Sequence, residues 1–151
     1  MTDTFTPTTE AEIAVWTTGL RSKKYEQGMG RLRRIEQIGL ATKVGYCCLG
    51  AKCVIEGFDL DTAIPGTAGL FWADSGGLSS LPSDIPAPIQ GLSATTRSTL
   101  AELNDGQSYD FEAIADVLDE HSAHLAAGGS IQFDYASETV VALPISTPLA
   151  A

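Results

Sequence analysis

The sequence lacks any long hydrophobic run, and it lacks a secretion signal at its start. No apolar segment of the 151 residues approaches the roughly 20 residues that a membrane-spanning helix needs. Residues 1–10 are polar and rich in threonine, without the basic start and apolar centre of a signal peptide. We therefore expect a protein that enters no membrane and stays in the cytoplasm.

Cysteine is scarce and crowded. The three cysteines, Cys47, Cys48 and Cys53, all fall within one short segment. Such an odd set does not form the disulfide framework of a secreted domain, and adjacent cysteines seldom pair because the small ring is strained. Zinc would need a fourth ligand from far along the chain, such as His121 or His124. We predict that the three thiols are reduced, buried and free of metal.

Basic residues are almost absent from the later part of the chain. Arg97 is the single base of residues 53–151, against fourteen acids, whereas residues 1–52 hold eight bases and five acids. The net charge of −10 therefore divides into +3 and −13. An acidic surface repels the phosphates of DNA or RNA, so nucleic acid is an unlikely partner. This distribution predicts one electropositive face on an acidic body.

The usual catalytic motifs are also missing. No Gly-x-Ser-x-Gly turn is present, and Gly28-Met-Gly-Arg31 does not end in the Gly-Lys-Ser/Thr of a phosphate-binding loop. A reactive cysteine needs a nearby cation or base, and sequence proximity to Lys43 and Lys52 is weak support. We expect no catalytic residue, no cofactor and no enzyme activity, and a small Cys/His hydrolase is the weakest alternative.

Helical patterns recur along the chain. Thr9 and Glu12 have the spacing of a capping box, and the apolar stripe that follows predicts a helix. A short helix is expected from about Cys47, and another over residues 95–103. Asp110 caps a further helix that ends at Gly128-Gly129. The expected buried stripes are Ile13, Trp16 and Leu20 in the first helix and Phe111, Ile114, Leu118, His121 and Leu125 in the last.

Strand patterns are fewer. A strand is expected near Leu32 to Gln37, and alternation at residues 131–135 followed by an apolar run at 140–145 predicts a C-terminal hairpin. Residues 57–94 are rich in glycine and proline, and short elements should be hidden there. The sequence thus predicts an α+β fold with about three helices packed on a small antiparallel sheet. We assign one domain to residues 9–146, with a flexible tail at 1–8 and another tail at 147–151.

A basic loop is the most unusual feature. Residues 21–34 carry six of the nine bases, together with a tyrosine and two glycines that let the backbone approach a ligand. Arginine offers forked donors for phosphate, and tyrosine offers a face for stacking. The alternative is a solvated loop whose bases balance nearby acids. Seven residues would hold a nucleotide-like anion: Arg21, Lys24, Tyr25, Gln27, Arg31, Arg33 and Arg34.

Three blocks of sequence carry a resemblance. They are Trp16 to Arg33, then Tyr46-Cys-Cys-Leu-Gly-x-x-Cys53, then Leu103-Asn-Asp-Gly with Phe111-Glu-x-Ile-Ala-Asp116. In this order they resemble a family of small uncharacterised proteins encoded by phages and prophages. The chain departs from the family pattern in a longer, more polar middle and in its C-terminal hairpin. The resemblance implies a phage setting and the cytosol of a host cell, but no particular chemistry.

Small phage proteins often bind a host component, which favours a binder over a catalyst. The first functional hypothesis is a phage-encoded, non-enzymatic protein that sequesters a nucleotide-derived signal of host defence, in a pocket that a homo-oligomer can share between subunits. The second is an inhibitor that binds a host protein directly through its acidic surface.

Overall fold

The computed structural model of the chain describes residues 6–28, 33–58 and 87–145, without the side chains of 33–38, 42 and 43. These ranges have a mixed α+β fold, as predicted, with five α-helices and two separate two-stranded antiparallel sheets. No helix within them is long and apolar enough to cross a membrane. The elements are α1 (Glu10–Arg21), β1 (Arg33–Ile38), β2 (Ala41–Tyr46), α2 (Cys48–Ile55), a 3-10 turn (Ala87–Ile89), α3 (Ala94–Asp105), α4 (Phe111–Glu120), α5 (Ser122–Ala126), β3 (Ile131–Asp134) and β4 (Thr139–Ala142).

Helix α1 begins at the predicted capping box. The Thr9 amide donates to Glu12 Oε1, and the Glu12 amide donates to Thr9 Oγ1, both at 3.1 Å. These bonds satisfy two amides that the first helical turn would leave unpaired. The predicted stripe of Ile13, Trp16 and Leu20 is buried and packs against α2 and α4.

Helix α2 is buried on nearly all sides. Cys47 caps it by accepting the Gly50 amide, and the next six residues, Cys48 to Cys53, are all buried. They include Lys52, whose ammonium pairs with Glu56, donates to the Pro88 carbonyl at 2.5 Å and lies 5.7 Å from the centre of the Trp16 ring. The helix expected from about Cys47 is therefore present and forms the middle of the core.

The last predicted helix is divided into two. Asp110 caps α4 as expected, accepting the Ala113 amide at 2.8 Å. However, the backbone leaves helical geometry at His121, whose N–H is shared between the carbonyls of Val117 and Asp119. This tightened turn separates α4 from α5, so the prediction of one continuous helix was wrong. Leu125 of α5 is still buried, and Gly128 ends α5 with a positive φ of 91°.

Two further features differ from the sequence prediction, the start of the domain and the number of helices. Thr8, assigned to the flexible tail, is buried, and its amide donates to the Gly91 carbonyl at 3.0 Å. The described residues contain five α-helices, where the sequence predicted about three. Of the glycine-rich stretch 57–94, residues 59–86 lie outside the described residues, as do the C-terminal residues 146–151.

The strands form where expected, but they pair only locally. Strand β1 starts one residue after the predicted Leu32, and β2, for which we predicted no strand, pairs with it through a turn at Gly39-Leu40. The C-terminal hairpin of β3 and β4 is confirmed, and β3 packs on α3. The two hairpins are not joined into the single sheet that we predicted.

Burial of the α4 stripe gives a stability prediction. Leu118 has no exposed surface, so Leu118→Ala should lower the free energy of unfolding by about 2–5 kcal/mol, since it leaves a cavity. Denaturant unfolding measures the change. Val15→Ala is the control, because Val15 is 57% exposed and its truncation should cost less than about 0.5 kcal/mol. Equal effects of the two substitutions would contradict the assigned packing.

Candidate functional site

The basic segment is not an independent loop, since part of it joins a sheet. The Tyr46 amide donates to the Glu26 carbonyl at 2.8 Å, and the Gly28 amide donates to the Tyr46 carbonyl at 2.7 Å. Gln27 therefore forms a single parallel β-bridge with Tyr46 at the end of β2. At Gly28 a Cβ atom would lie 3.0 Å from the carbonyl carbon of Gly45. The close approach of two backbones explains this glycine without a ligand, contrary to our sequence interpretation.

A buried asparagine fastens the segment to the body of the protein. Asn104, at the end of α3, has no exposed surface and donates from Nδ2 to the Gly28 carbonyl at 2.8 Å. Its Oδ1 accepts from Gln27 Nε2 at 2.9 Å, and the same Nε2 donates to the Tyr109 carbonyl at 2.7 Å. The side-chain amide of Gln27, predicted to bind a ligand, thus serves the attachment of the segment.

Two tyrosines meet beside this attachment. The rings of Tyr25 and Tyr46 are 6.3 Å apart and nearly perpendicular, and Lys24 Nζ lies 5.8 Å from the centre of the Tyr25 ring. In the register of the hairpin, Arg33 is paired with Tyr46 and Arg34 with Gly45. The fold therefore brings Lys24, Tyr25, Arg33 and Arg34 to the same end of one hairpin, although they are up to ten positions apart.

Arg21 does not belong to this cluster. Its guanidinium donates to Asp116 at 2.7 Å and to Asp119 at 2.6 Å, joining the end of α1 to α4. The hydrogen bonds from Asp116 and then Asp119 raise the pKa of Arg21. A guanidinium that already faces two carboxylates is poorly suited to hold phosphate, so its predicted ligand role gives way to a structural one. Arg31 lies outside the described residues.

The cysteines are buried as predicted, and their chemistry is that of a packed core. All three are free thiols with no exposed surface. Burial raises the pKa of Cys47 to about 12 and also raises the pKa of Cys48 and Cys53. Thiols of this kind stay protonated near neutral pH and make poor nucleophiles. In the described part of the chain, no three His, Cys, Asp or Glu side chains are grouped so as to hold a metal ion.

The two histidines also have separate surroundings. His124 Nε2 lies 3.1 Å from the Ser130 carbonyl, whereas His121 Nε2 lies 3.1 Å from Glu120 Oε2. Neither faces a cysteine in the contacts of the described residues. Among the described residues, therefore, no cysteine and histidine are in contact as a nucleophile and base pair.

The sequence did not predict a concave surface that lies beside the C-terminal hairpin. It is a groove of about 370 Å³ between α3 and the β3 end of the C-terminal hairpin, and its walls include Ser98, Glu102, Phe133 and Tyr135. Tyr135 is 65% exposed, and its ring packs edge-on against Phe133 at 5.0 Å. The one sequence signal was Tyr135 itself, an aromatic residue at the end of an alternating strand pattern.

Comparison with known proteins adds no identification. No protein-family model, no curated protein and no solved structure matches the chain.

The state of the thiols predicts their reactivity. At pH 8 the folded protein should react very slowly with a disulfide reagent such as dithionitrobenzoate, because burial restricts access and keeps Cys47 protonated. All three thiols should react once the protein is unfolded in denaturant. Rapid stoichiometric labelling of the folded protein would contradict the packing, and stoichiometric zinc by elemental analysis would contradict the metal-free expectation.

The attachment through Asn104 predicts a local loss of order. Asn104→Ala leaves the Gly28 carbonyl without its donor and removes one of the two acceptors of Gln27 Nε2, which should cost about 1–3 kcal/mol of unfolding free energy. Hydrogen exchange at the Tyr46 amide should accelerate, because that amide is bonded to the attached segment. As a control, Ser22→Ala changes an exposed position in the same loop and should leave that amide protected. Unchanged exchange in Asn104→Ala would show that the segment is held by other contacts.

Proposed function

We propose that this chain is a non-enzymatic binding protein that holds a nucleotide-like, phosphorylated small molecule at the base of the β1–β2 hairpin. We call this surface the anion site and define it by Lys24, Tyr25, Arg33, Arg34 and Tyr46. The observation that supports it is the pairing of Arg33 with Tyr46, since Tyr46 also contacts Tyr25. The backbone register thus places the positions of Arg33 and Arg34 next to the two tyrosines, which supports the proposal.

The chemistry of these residues suits an anion with an aromatic part. Arginine and lysine side chains offer charge-assisted donors for phosphate oxygens. A tyrosine ring offers a face on which a base can stack. The later part of the chain carries a charge of −13, which repels anions elsewhere and leaves the anion site as the favoured approach.

The resemblance to phage and prophage proteins suggests the biological setting. In a host cell, a protein that binds a nucleotide-derived defence signal without consuming it lowers the concentration of the signal by mass action. The buried, protonated thiols agree with binding rather than turnover. The rival function, inhibition of a host protein through the acidic surface, is favoured by a different observation, the groove beside α3.

Calorimetry tests the anion site. Linear and cyclic nucleotides and adenosine diphosphate ribose should be titrated into the protein, and at least one should bind at micromolar concentration and be recovered unchanged. Replacing both Arg33 and Arg34 by alanine should weaken that binding by more than about tenfold, because two charge-assisted contacts are lost. The thermal unfolding midpoint of the variant shows whether its fold is intact.

A matched control separates a defined site from diffuse attraction. Lys23→Gln removes one charge from the exposed turn after α1, close in sequence to Tyr25 but outside the residues that define the anion site. It should change the affinity for the nucleotide by less than about threefold, as the loss of an exposed charge outside a binding site does. If none of the nucleotides binds, or if Lys23→Gln weakens binding as much as the arginine variant, the proposed site is wrong.

A further inference from the structure

Strand β3 has a strand neighbour on one side alone among the described residues. The Leu143 amide donates to the Ser130 carbonyl at 2.9 Å, in line with the register that pairs Ile131 with Ala142. Hydrogen-bonded pairs alternate along an antiparallel ladder. Ile131 and Phe133 therefore direct their backbone N–H and C=O groups away from β4 and toward α3.

Helix α3 satisfies the first of these two residues. Thr99 Oγ1 donates to the Ile131 carbonyl at 3.0 Å, and the Ile131 amide donates to Thr96 Oγ1 at 3.2 Å. Two hydroxyls of the helix thus take the place of a neighbouring strand. At Phe133, two residues further, no described residue supplies an equivalent donor or acceptor, and Phe133 lines the groove.

The walls of the groove complement an extended peptide. Five residues of α3 line one side, Ala94, Thr95, Ser98, Thr99 and Glu102, and their spacing places them on one helical face. On the other side are the exposed ring of Tyr135 and the edge of Phe133. The groove therefore offers a backbone donor and acceptor, hydroxyl groups, an aromatic surface and one carboxylate.

We propose that this groove binds a short extended segment of a partner protein. The segment pairs with the backbone of Phe133, a largely buried residue whose N–H and C=O have no partner among the described residues, and places a basic side chain near Glu102. The N–H and C=O of one extended residue point to the same side of the strand. A residue of an incoming extended peptide can therefore accept from that N–H and donate to that C=O. Thr96 and Thr99 block further pairing at Ile131, so the segment enters from the Tyr135 end. Pairing is restricted to a short stretch.

Charge defines the chemistry of the partner. Glu102 is partly buried at the groove wall, where Gln107 Nε2 donates to its Oε2 at 3.0 Å, and its carboxylate retains further acceptor capacity. The groove lies wholly within the acidic part of the chain, residues 53–151. A lysine-bearing or arginine-bearing segment is thus attracted, and an acidic one is repelled. This surface is separate from the anion site and does not depend on it.

Amide NMR with a defined probe tests the proposal. The probe is a capped pentapeptide of alternating valine and lysine, added at millimolar concentration to the full chain. The expected result is a set of shifts at Ser98, Phe133 and Tyr135, together with slower hydrogen exchange of the Phe133 amide. The same peptide with glutamate in place of lysine should give much weaker shifts, because it meets Glu102 with like charge.

Variants of two groove residues complete the test. Glu102→Gln should weaken binding of the lysine peptide by about fivefold, the usual range for a partly exposed ion pair. Ser98→Trp should fill the groove and abolish the shifts, whereas Ser98→Ala should preserve them. The proposal is overturned if both peptides bind equally, if the shifts fall outside the groove, or if no shifts occur while the folded protein keeps its native spectrum. Shifts that appear with protein concentration alone would instead identify the occupant as a second copy of the chain.

Discussion

The fold depends on burying α2, including its lysine. A buried ammonium is costly unless it is paired and hydrogen-bonded, and three different parts of the chain meet that need. The Glu56 carboxylate pairs with the Lys52 ammonium, the Pro88 carbonyl accepts a hydrogen bond from it, and the Trp16 ring lies over it. Because these groups come from α2, the 3-10 turn and α1, satisfying Lys52 also fixes how those elements surround the core. Trp16 Nε1 adds a bond to the Cys48 carbonyl at 3.0 Å.

Helix α3 connects this core to both proposed binding surfaces. Its C-terminal end carries Asn104, which holds the segment that contains Tyr25. Its exposed face forms one wall of the groove, while Thr96 and Thr99 close part of the β3 edge. A single rigid element thereby positions an anion site and a peptide groove that differ in charge. Binding residues positioned by a packed helix need less ordering when the ligand arrives.

Local signals in the sequence were sufficient for the helix starts and the apolar stripes. Thr9 and Asp110 cap helices through bonds that reach three residues, a distance that spacing alone predicts. The failures concern distant partners. Arg21 looked like a phosphate ligand because its carboxylates, Asp116 and Asp119, are almost a hundred residues away. The groove was missed because its main feature is which residues of β3 direct their backbone hydrogen-bonding groups away from β4. No side-chain pattern in the sequence reveals that alternation.

In the proposed function, the basic segment forms a defined anion site because Asn104 and β2 hold it in place. Amide NMR during titration with adenosine diphosphate ribose and with linear and cyclic nucleotides tests it most directly. The account predicts that a bound nucleotide perturbs the amides of Tyr25, Gly45 and Tyr46 and leaves the groove amides of Ser98 and Phe133 unchanged. Shifts centred on the groove, or saturable binding with no change at Tyr25 and Tyr46, would contradict it.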